Sequence, residues 1–389
     1  MKGINMNTNL ISFKQQTIFN SYEEFLREVD LSDRVLMFMT YDFDVENLIL
    51  NDLILKLKSS NTRIHNFKVL NCNQTMKNVF DIVNFMQKHG VDTIIAIGED
   101  FLGELLKAVN VFYNNRNINT LVELEANKKY LTYDKLKETI FIPTTGGCSE
   151  VHKYFRLIDE EFSQVTIFED SMAKIDKIVL DCKISKLLPI EYVMYYIFST
   201  IANLVDIVLN DNVGEDVKEE CKNILRELTN LLENGEKFGD SLFFREKILK
   251  YSIEVSKIID NTGYGILYLY GSLIESVFSI PRNTIDSLGI EFLLSEINKK
   301  YSLFYLSKYF NVCSKKMGYE EFIKSVKKRY GAKDNLKFYK LNNQILDKVK
   351  RVALNFLFKH KMVEKYRSLN FNEEFNNRLF EYYLDGVNG

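Results

Sequence analysis

Two rhythms of apolar and polar positions divide the chain. In the first half, short apolar runs alternate with stretches whose apolar residues recur at helical spacing. Residues 34–40 (RVLMFMT), 63–70, 93–97 (TIIAI) and 139–143 predict strands, and TIIAI is too apolar to have a wet face. Between them, 45–59, 75–88 (TMKNVFDIVNFMQK) and 101–113 predict helices. Thr75 is placed to cap the second of these, and Gly90 follows its end. The 101–113 helix buries Leu102, Leu105, Leu106 and Val109. Strand–helix alternation predicts a parallel sheet with helical crossovers. Runs at 151–158, 164–168 and 177–180 read as additional strands near the sheet edge.

From Pro189 the rhythm is helical throughout, at 190–210, 214–235, 241–260, 263–279, 284–299, 319–330, 339–359 and 372–384. The fold class expected is an α/β N-terminal domain with a parallel sheet, followed by an all-α C-terminal domain. The boundary near Lys186 gives a dinucleotide-binding-like domain over 1–186 and a helical domain over 187–389. The three prolines, at 143, 189 and 281, each fall at an inferred element boundary. A site is expected where the C-terminal ends of the strands face the helical domain.

Composition narrows the partners. The 389 residues are 46% hydrophobic and carry a net charge of −2, with no basic run interleaved with aromatics. This disfavours nucleic acid and anionic membrane. Residues 187–209 are mostly apolar, but Glu191, Asn203 and Asp206 interrupt them; residues 263–280 are shorter and carry Glu275. Both read as core helices rather than membrane spans. The five cysteines are odd in number and form no C-x-x-C pair, and residues 1–15 lack a signal-peptide layout. Reduced thiols in a cytoplasm are the expectation. The chain has only four histidines, His65, His89, His152 and His360.

Four segments, in order, carry a resemblance. They are 69–79 (VLNCNQTMKNV), 96–107 (AIGEDFLGELLK), 142–151 (IPTTGGCSEV), and the pair 181–206 and 268–287. They resemble the "v.pNPt...v", "AIGGGSxIDxAK", "IPTTxGTGSEV" and two metal-bearing segments of the iron-containing alcohol dehydrogenase family. Asn73, Gln74 and Thr75 stand where the family has Asn-Pro-Thr. Glycerol dehydrogenase and dehydroquinate synthase share this fold, so the resemblance implies the fold and leaves the reaction open.

The resemblance implies an NAD(P) site formed by Gly98, Lys107, Thr144, Thr145, Gly146, Gly147 and Ser149. In the family a glycine-rich turn brings backbone N–H groups to the pyrophosphate at a helix N-terminus. Here Gly98 is followed by Glu99, Asp100 and Phe101, and Glu104 replaces the family aspartate. Asp100 is placed to cap the helix with its own carboxylate. Two carboxylates within about 4 Å of a phosphate would cost on the order of 1–4 kcal/mol each. A solvated helix start is the alternative for Glu99 and Asp100, and it too disfavours an ordinary dinucleotide. Cys148 has no base nearer than His152, four residues on, so a nucleophilic thiol is not expected.

The family holds a divalent metal with one aspartate and three histidines. Anchored on Pro189 and Pro281, those positions fall on Ser199, Asn203, Tyr268 and Arg282, with Asp206 and Ser272 at two further family positions. A hydroxyl, a carboxamide, a phenol and a guanidinium do not replace imidazole and carboxylate around iron or zinc. As catalytic residues, Arg282 would polarise a carbonyl or hold an anion, and Tyr268 would donate a proton. The plainer alternative pairs Arg282 with Glu275 or Asp286 and packs Tyr268 with Tyr264 and Tyr270.

The expected function is therefore that of a metal-free family homologue, non-catalytic or repurposed, binding a small ligand or a protein partner in the interdomain cleft. Its rivals are a metal-independent NAD(P)-dependent oxidoreductase acting on an alcohol or aldehyde, and a conventional metal-dependent one. A homodimer is expected from the resemblance.

Overall fold

A computed structural model describes residues 16–29, 34–39, 48–59, 63–68, 74–134, 136, 138–161, 164–234, 240–301, 318–332, 335, 336, 339, 343–369 and 372–385. Position 40, positions 45–47 and 69–73 (Cys72 and Asn73 among them), and Cys313 lie outside these residues.

The first part of the chain runs β1 (Thr17–Phe19), α1 (Tyr22–Glu28), β2 (Arg34–Met39), α2 (Leu48–Ser59), β3 (Arg63–Lys68), α3 (Met76–His89), β4 (Thr93–Gly98), α4 (Asp100–Asn114), α5 (Leu121–Asn127) and β5 (Glu138–Pro143). It continues through β6 (Tyr154–Asp159), β7 (Gln164–Glu169) and β8 (Lys177–Val179). Six strands form one parallel sheet in the order β1-β8-β5-β4-β2-β3. Residues on successive positions bury opposite faces, as the pleat requires. Leu36, Ile94, Ala96, Phe141 and Ile178 meet α3 and α4, while Val35, Met37, Ile95, Ile97, Ile140, Ile142 and Val179 face the other way.

One strand expectation is corrected. The 151–158 and 164–168 runs do not extend the sheet; β6 and β7 form a separate antiparallel ribbon, with residues 151–153 outside it. The 177–180 run does join the sheet near its edge: β8 is the second strand, between β1 and β5. The edge strand β1, only three residues long, and the short helices α1 and α5 carry too little periodicity to have been predicted. Thr75 does cap α3, accepting from Asn78 N, and Gly90 ends the helix at φ 62°.

The second part is helical: α6 (Cys182–Ser185), α7 (Ile190–Leu209), α8 (Glu215–Glu233), α9 (Leu242–Thr262), α10 (Ile266–Phe278), α11 (Arg282–Tyr301), α12 (Tyr319–Arg329), α13 (Asn343–Lys359), α14 (Met362–Lys365) and α15 (Glu373–Asp385). Helix α7 is long and apolar enough to cross a membrane, but it is the core helix of this part, packed by α8, α9 and α11. All three prolines sit at element ends: Pro143 closes β5, Pro189 precedes α7 and Pro281 precedes α11.

Helix α4 positions everything that follows. Every one of its residues is buried, including Asp100, Glu104 and Lys107. A helix buried all round must pair its polar side chains inside the protein.

Candidate functional site

The strand-to-helix turn from β4 into α4 meets the helical part of the chain here. Glu99 holds the N-cap position of α4 and makes no side-chain cap bond. Its carboxylate instead accepts the hydroxyls of Tyr192 and Tyr196 from α7. The expectation that Asp100 caps the helix is corrected too. Asp100 lies inside the helix, where Oδ1 accepts from Ser149 N at 2.6 Å and Oδ2 from Arg282 Nη2 at 2.9 Å. The reason is competition: a guanidinium from across the cleft and the amide of a neighbouring loop offer charge-assisted partners that its own helix does not.

The Thr144–Ser149 loop lies against this turn. A Cβ added to Gly147 would stand 2.4 Å from Asp100 Cβ, and one on Gly146 2.4 Å from Ile248 Cγ2 of α9. Both glycines are therefore needed for the loop to fit between α4 and α9. Cys148 adopts φ 72° without being glycine. Its amide is bonded to Ser252, the Val151 and His152 amides to Ser256, and Glu150 accepts from Ser252. The hydroxyls of Thr144 and Thr145 are buried without a partner among the described residues. Lys107 is fully buried and donates to the carbonyls of Ser149 (2.6 Å) and Tyr154 (3.2 Å), with His152 Nδ1 3.5 Å away. Burial pulls its pKa down to about 8. Lys107 thus pins the loop from beneath.

Arg282, the first residue of α11, is the centre of a buried ion cluster. Nη1 lies 2.8 Å from Asp286 Oδ2, and Asp286 Oδ2 also accepts from Ser199 Oγ at 2.6 Å. The guanidinium carbon sits 4.5 Å from the centre of the Tyr268 ring. Glu275 accepts the Arg282 backbone N–H and pairs with Arg156 Nη2 at 3.0 Å. Arg156, on β6, also approaches Glu104, whose other oxygen accepts from Tyr268 at 3.2 Å. Tyr268 stacks on Tyr264; Tyr270 turns away and donates to Asn376.

Burial dominates the electrostatics. It pushes Glu275 up to about 7 and Asp286 up to about 6, against the pull of Arg156 and Arg282 for Glu275 and chiefly of Arg282 for Asp286. It raises Asp100 above the usual carboxylate range, with Arg282 opposing. Burial alone would loosen Arg282's proton; Asp286 and Asp100 reverse this and hold it more firmly. Burial also raises the Tyr268 phenol and the Cys148 thiol, and holds His152 neutral.

The four positions singled out in the sequence do converge. Asn203, Tyr268 and Arg282 line one cavity with Cys148 and His152, and Ser199 reaches it through Asp286. Ser272 caps back onto Tyr268 O, and Asp206 binds Leu267 N. Sequence reasoning missed Arg156, Tyr192 and Tyr196. Arg156 carried a signal, a charge inside the apolar run YFRLID. Glu275 was read only as an interruption of an apolar helix.

Does the site fit a divalent cation or a dinucleotide? Among the described residues, no group of three or more His, Cys, Asp and Glu side chains is arranged to hold a metal. The two carboxylates nearest the converged positions, Asp100 and Asp286, are already neutralised by a fixed guanidinium. The donor set does not fit the metal. In the first turn of α4 the Asp100 carboxylate, packed on Gly147 and held by Ser149 N and Arg282, sets a negative group beside the place where a phosphate would approach. The cavities on either side of Arg282 measure about 10 and 20 Å³, room for a water molecule each. This arrangement does not fit a pyrophosphate.

The sequence profile of the iron-containing alcohol dehydrogenases matches residues 11–181. None of the curated proteins matches the chain significantly. Among solved structures, the chain is similar to an iron-containing alcohol dehydrogenase from Corynebacterium glutamicum (14% identity, covering 97% of this chain and 96% of that one, TM-score 0.72). It is also similar to an archaeal halo-thermophilic Red Sea brine pool alcohol dehydrogenase (14%, 96% and 98%, TM-score 0.78). A third is an NADH-dependent butanol dehydrogenase A from Thermotoga maritima (13%, 97% and 99%, TM-score 0.73). At such identities the structural likeness speaks for the fold alone. The leading part of the chain, residues 11–181, thus matches the iron-containing alcohol dehydrogenase profile, and the chain shares the fold of those enzymes along its whole length.

Proposed function

We propose that this chain is a non-catalytic member of its family, working without the metal and dinucleotide chemistry of its relatives. One observation carries the reading: the Arg282 guanidinium is clamped between Asp100 and Asp286. That single side chain supplies the positive charge a divalent cation would bring and anchors the Asp100 carboxylate beside the start of α4. A ligand held beside Arg282 is also disfavoured, because what remains there has the size of single waters. A partner would be met on the outer surface.

The alternative, a metal-independent NAD(P)-dependent oxidoreductase with Arg282 as electrophile and Tyr268 as proton donor, has the two side chains in contact in its favour. Against it, both terminal nitrogens of Arg282 are already engaged by carboxylates. The test is metal content by elemental analysis together with titration by NADH and NADPH. The proposal expects substoichiometric iron and zinc and no saturable dinucleotide binding. Stoichiometric metal, or tight binding of either dinucleotide, overturns it. Cofactor binding without metal, with turnover abolished in Arg282→Ala, would favour the alternative.

A further inference from the structure

We propose that the outward face of α13 binds an acidic amphipathic helix of a partner protein. The inference rests on the reading that a partner is met on the outer surface, and its test is separate from the metal and dinucleotide titrations. Helix α13 buries one side through Val349, Ala353 and Leu357. Its opposite side carries a second row. Positions 345, 348, 352, 355 and 359 recur at spacings of three and four, and all five are exposed. Ile345 (42% exposed) and Val352 (45%) stand seven residues apart in that row, and Phe358 (59%) flanks it. Single exposed apolar side chains are ordinary. A helix that packs on one side only has no need of a second apolar row at the spacing of a helix–helix seam.

The surface continues beyond the helix. Lys359 lies 3.7 Å from Glu125 of α5, and both are exposed. Val122, one turn before Glu125, is 75% exposed. The patch therefore runs from the helical part of the chain onto the leading part.

Charge selects the partner. Between Asn343 and Leu369 seven lysines and arginines stand against two acidic residues, in a chain of net charge −2. Asp347 is matched by Lys350, and Glu125 by Lys359. Lys128, Lys348, Arg351 and Lys361 are exposed, and no ion pair or hydrogen bond joins their side chains to a described residue. A partner that supplies acids beside apolar contacts complements this surface. Shape selects its form. A helix face offers no sheet edge, so an extended segment would gain no ladder there, whereas a helix satisfies its own backbone. Apolar residues seven apart on the partner meet Ile345 and Val352, and acids beside them meet Lys348 and Arg351. A bilayer is the poorer match, since Lys348 and Asn355 interrupt the row that would have to enter it.

At about 1.5 Å per residue the 17 residues of α13 span about 25 Å. One helix face of that length falls below the roughly 800 Å² per partner of a stable interface, so a micromolar, salt-sensitive affinity is expected.

Selection of a displayed library of random helix-length peptides on the full chain tests this. Enriched sequences should be acidic, with apolar residues at helical spacing. The most enriched peptide, synthesised and labelled, should bind in fluorescence anisotropy and gain helical circular dichroism on binding. Lys348→Glu with Arg351→Glu should weaken it at least about tenfold, or about 1.4 kcal/mol. Val352→Ser should weaken it severalfold. Lys250→Glu with Lys257→Glu, the same charge change on exposed positions of α9, should leave it unchanged. Unchanged melting temperatures separate loss of binding from loss of fold. A selection that enriches no peptide, or enriches neutral or basic ones, overturns the proposal. So does binding that survives both α13 variants, or that falls equally with the α9 pair. Tighter binding of phosphatidylserine vesicles or of poly(U) RNA through the same residues overturns it as well.

Discussion

Asp100 and Arg282 stand 182 residues apart in the chain and 2.9 Å apart in the fold. One opens α4 behind the parallel sheet; the other opens α11 in the helical part. Their contact does not stand alone. Arg156 with Glu275, Tyr268 with Glu104, and Tyr192 and Tyr196 with Glu99 cross the same boundary. Each crossing pairs a group that burial would otherwise penalise.

Removing Arg282 should therefore be expensive. Arg282→Met leaves two buried carboxylates without their counter-charge, and a loss of about 3–5 kcal/mol is expected. Adding Asp100→Asn should recover part of that loss. Urea unfolding measures both. A single variant within about 0.5 kcal/mol of wild type, the ordinary range of surface substitutions, would show that the cluster does not hold the halves together.

Stability should fall as pH rises from about 6.5 to about 8. Glu275 is pushed up to about 7 and Glu150 up to about 8, both first by burial. Their unfolded counterparts titrate near the ordinary glutamate value. In this window the unfolded state has already lost these protons and the folded state still holds them. The contribution is complete below the unfolded pKa and is lost as pH climbs through the folded one. Below pH 6.5 two histidines held neutral by burial, His152 and His360, act in the opposite sense. Above pH 8, Lys107, pulled down to about 8, sheds the proton that burial disfavours, and the decline should level off. Melting temperatures across pH 6–9 give the slope. Glu150→Gln should flatten it, and an unchanged slope in that variant removes Glu150 from the explanation.

Cys148 gives a third prediction. Its φ of 72° costs an L-residue roughly 1–2 kcal/mol. Cys148→Gly should be at least as stable as Cys148→Ser, and Cys148→Val clearly less stable than either. Burial keeps this thiol protonated, so a thiol reagent should modify it only at the rate of unfolding, while half-buried Cys182 reacts in the native state. Peptide mapping after brief labelling distinguishes the two. Rapid native modification of Cys148 would mean that the loop opens freely.

The sheet, the helical part and the change of rhythm between them were readable because each rests on local periodicity. Strand TIIAI is buried on both faces and helix α3 carries both of its caps, all visible within a few residues of sequence. The ribbon of β6 and β7 was misplaced because a period of two marks a strand and says nothing of which neighbour it joins. The site was readable only as a list of positions. That Asn203, Tyr268 and Arg282 share a cavity followed from aligned motifs, whereas the identity of Arg282's partners depends on packing between distant segments. Asp100 illustrates the limit. Helical propensity made it a cap, and a guanidinium 182 residues away decided otherwise.

The burial of α4 on every side has a consequence for how such a chain can be inherited. Cut away from residues 187–389, the leading half would present Glu99, Asp100, Glu104 and Glu150 to solvent beside a stripped apolar wall. It would not be a self-sufficient module. Gene truncation or shuffling at the natural seam should yield aggregates rather than a working fragment, so the two halves can drift only in step with each other.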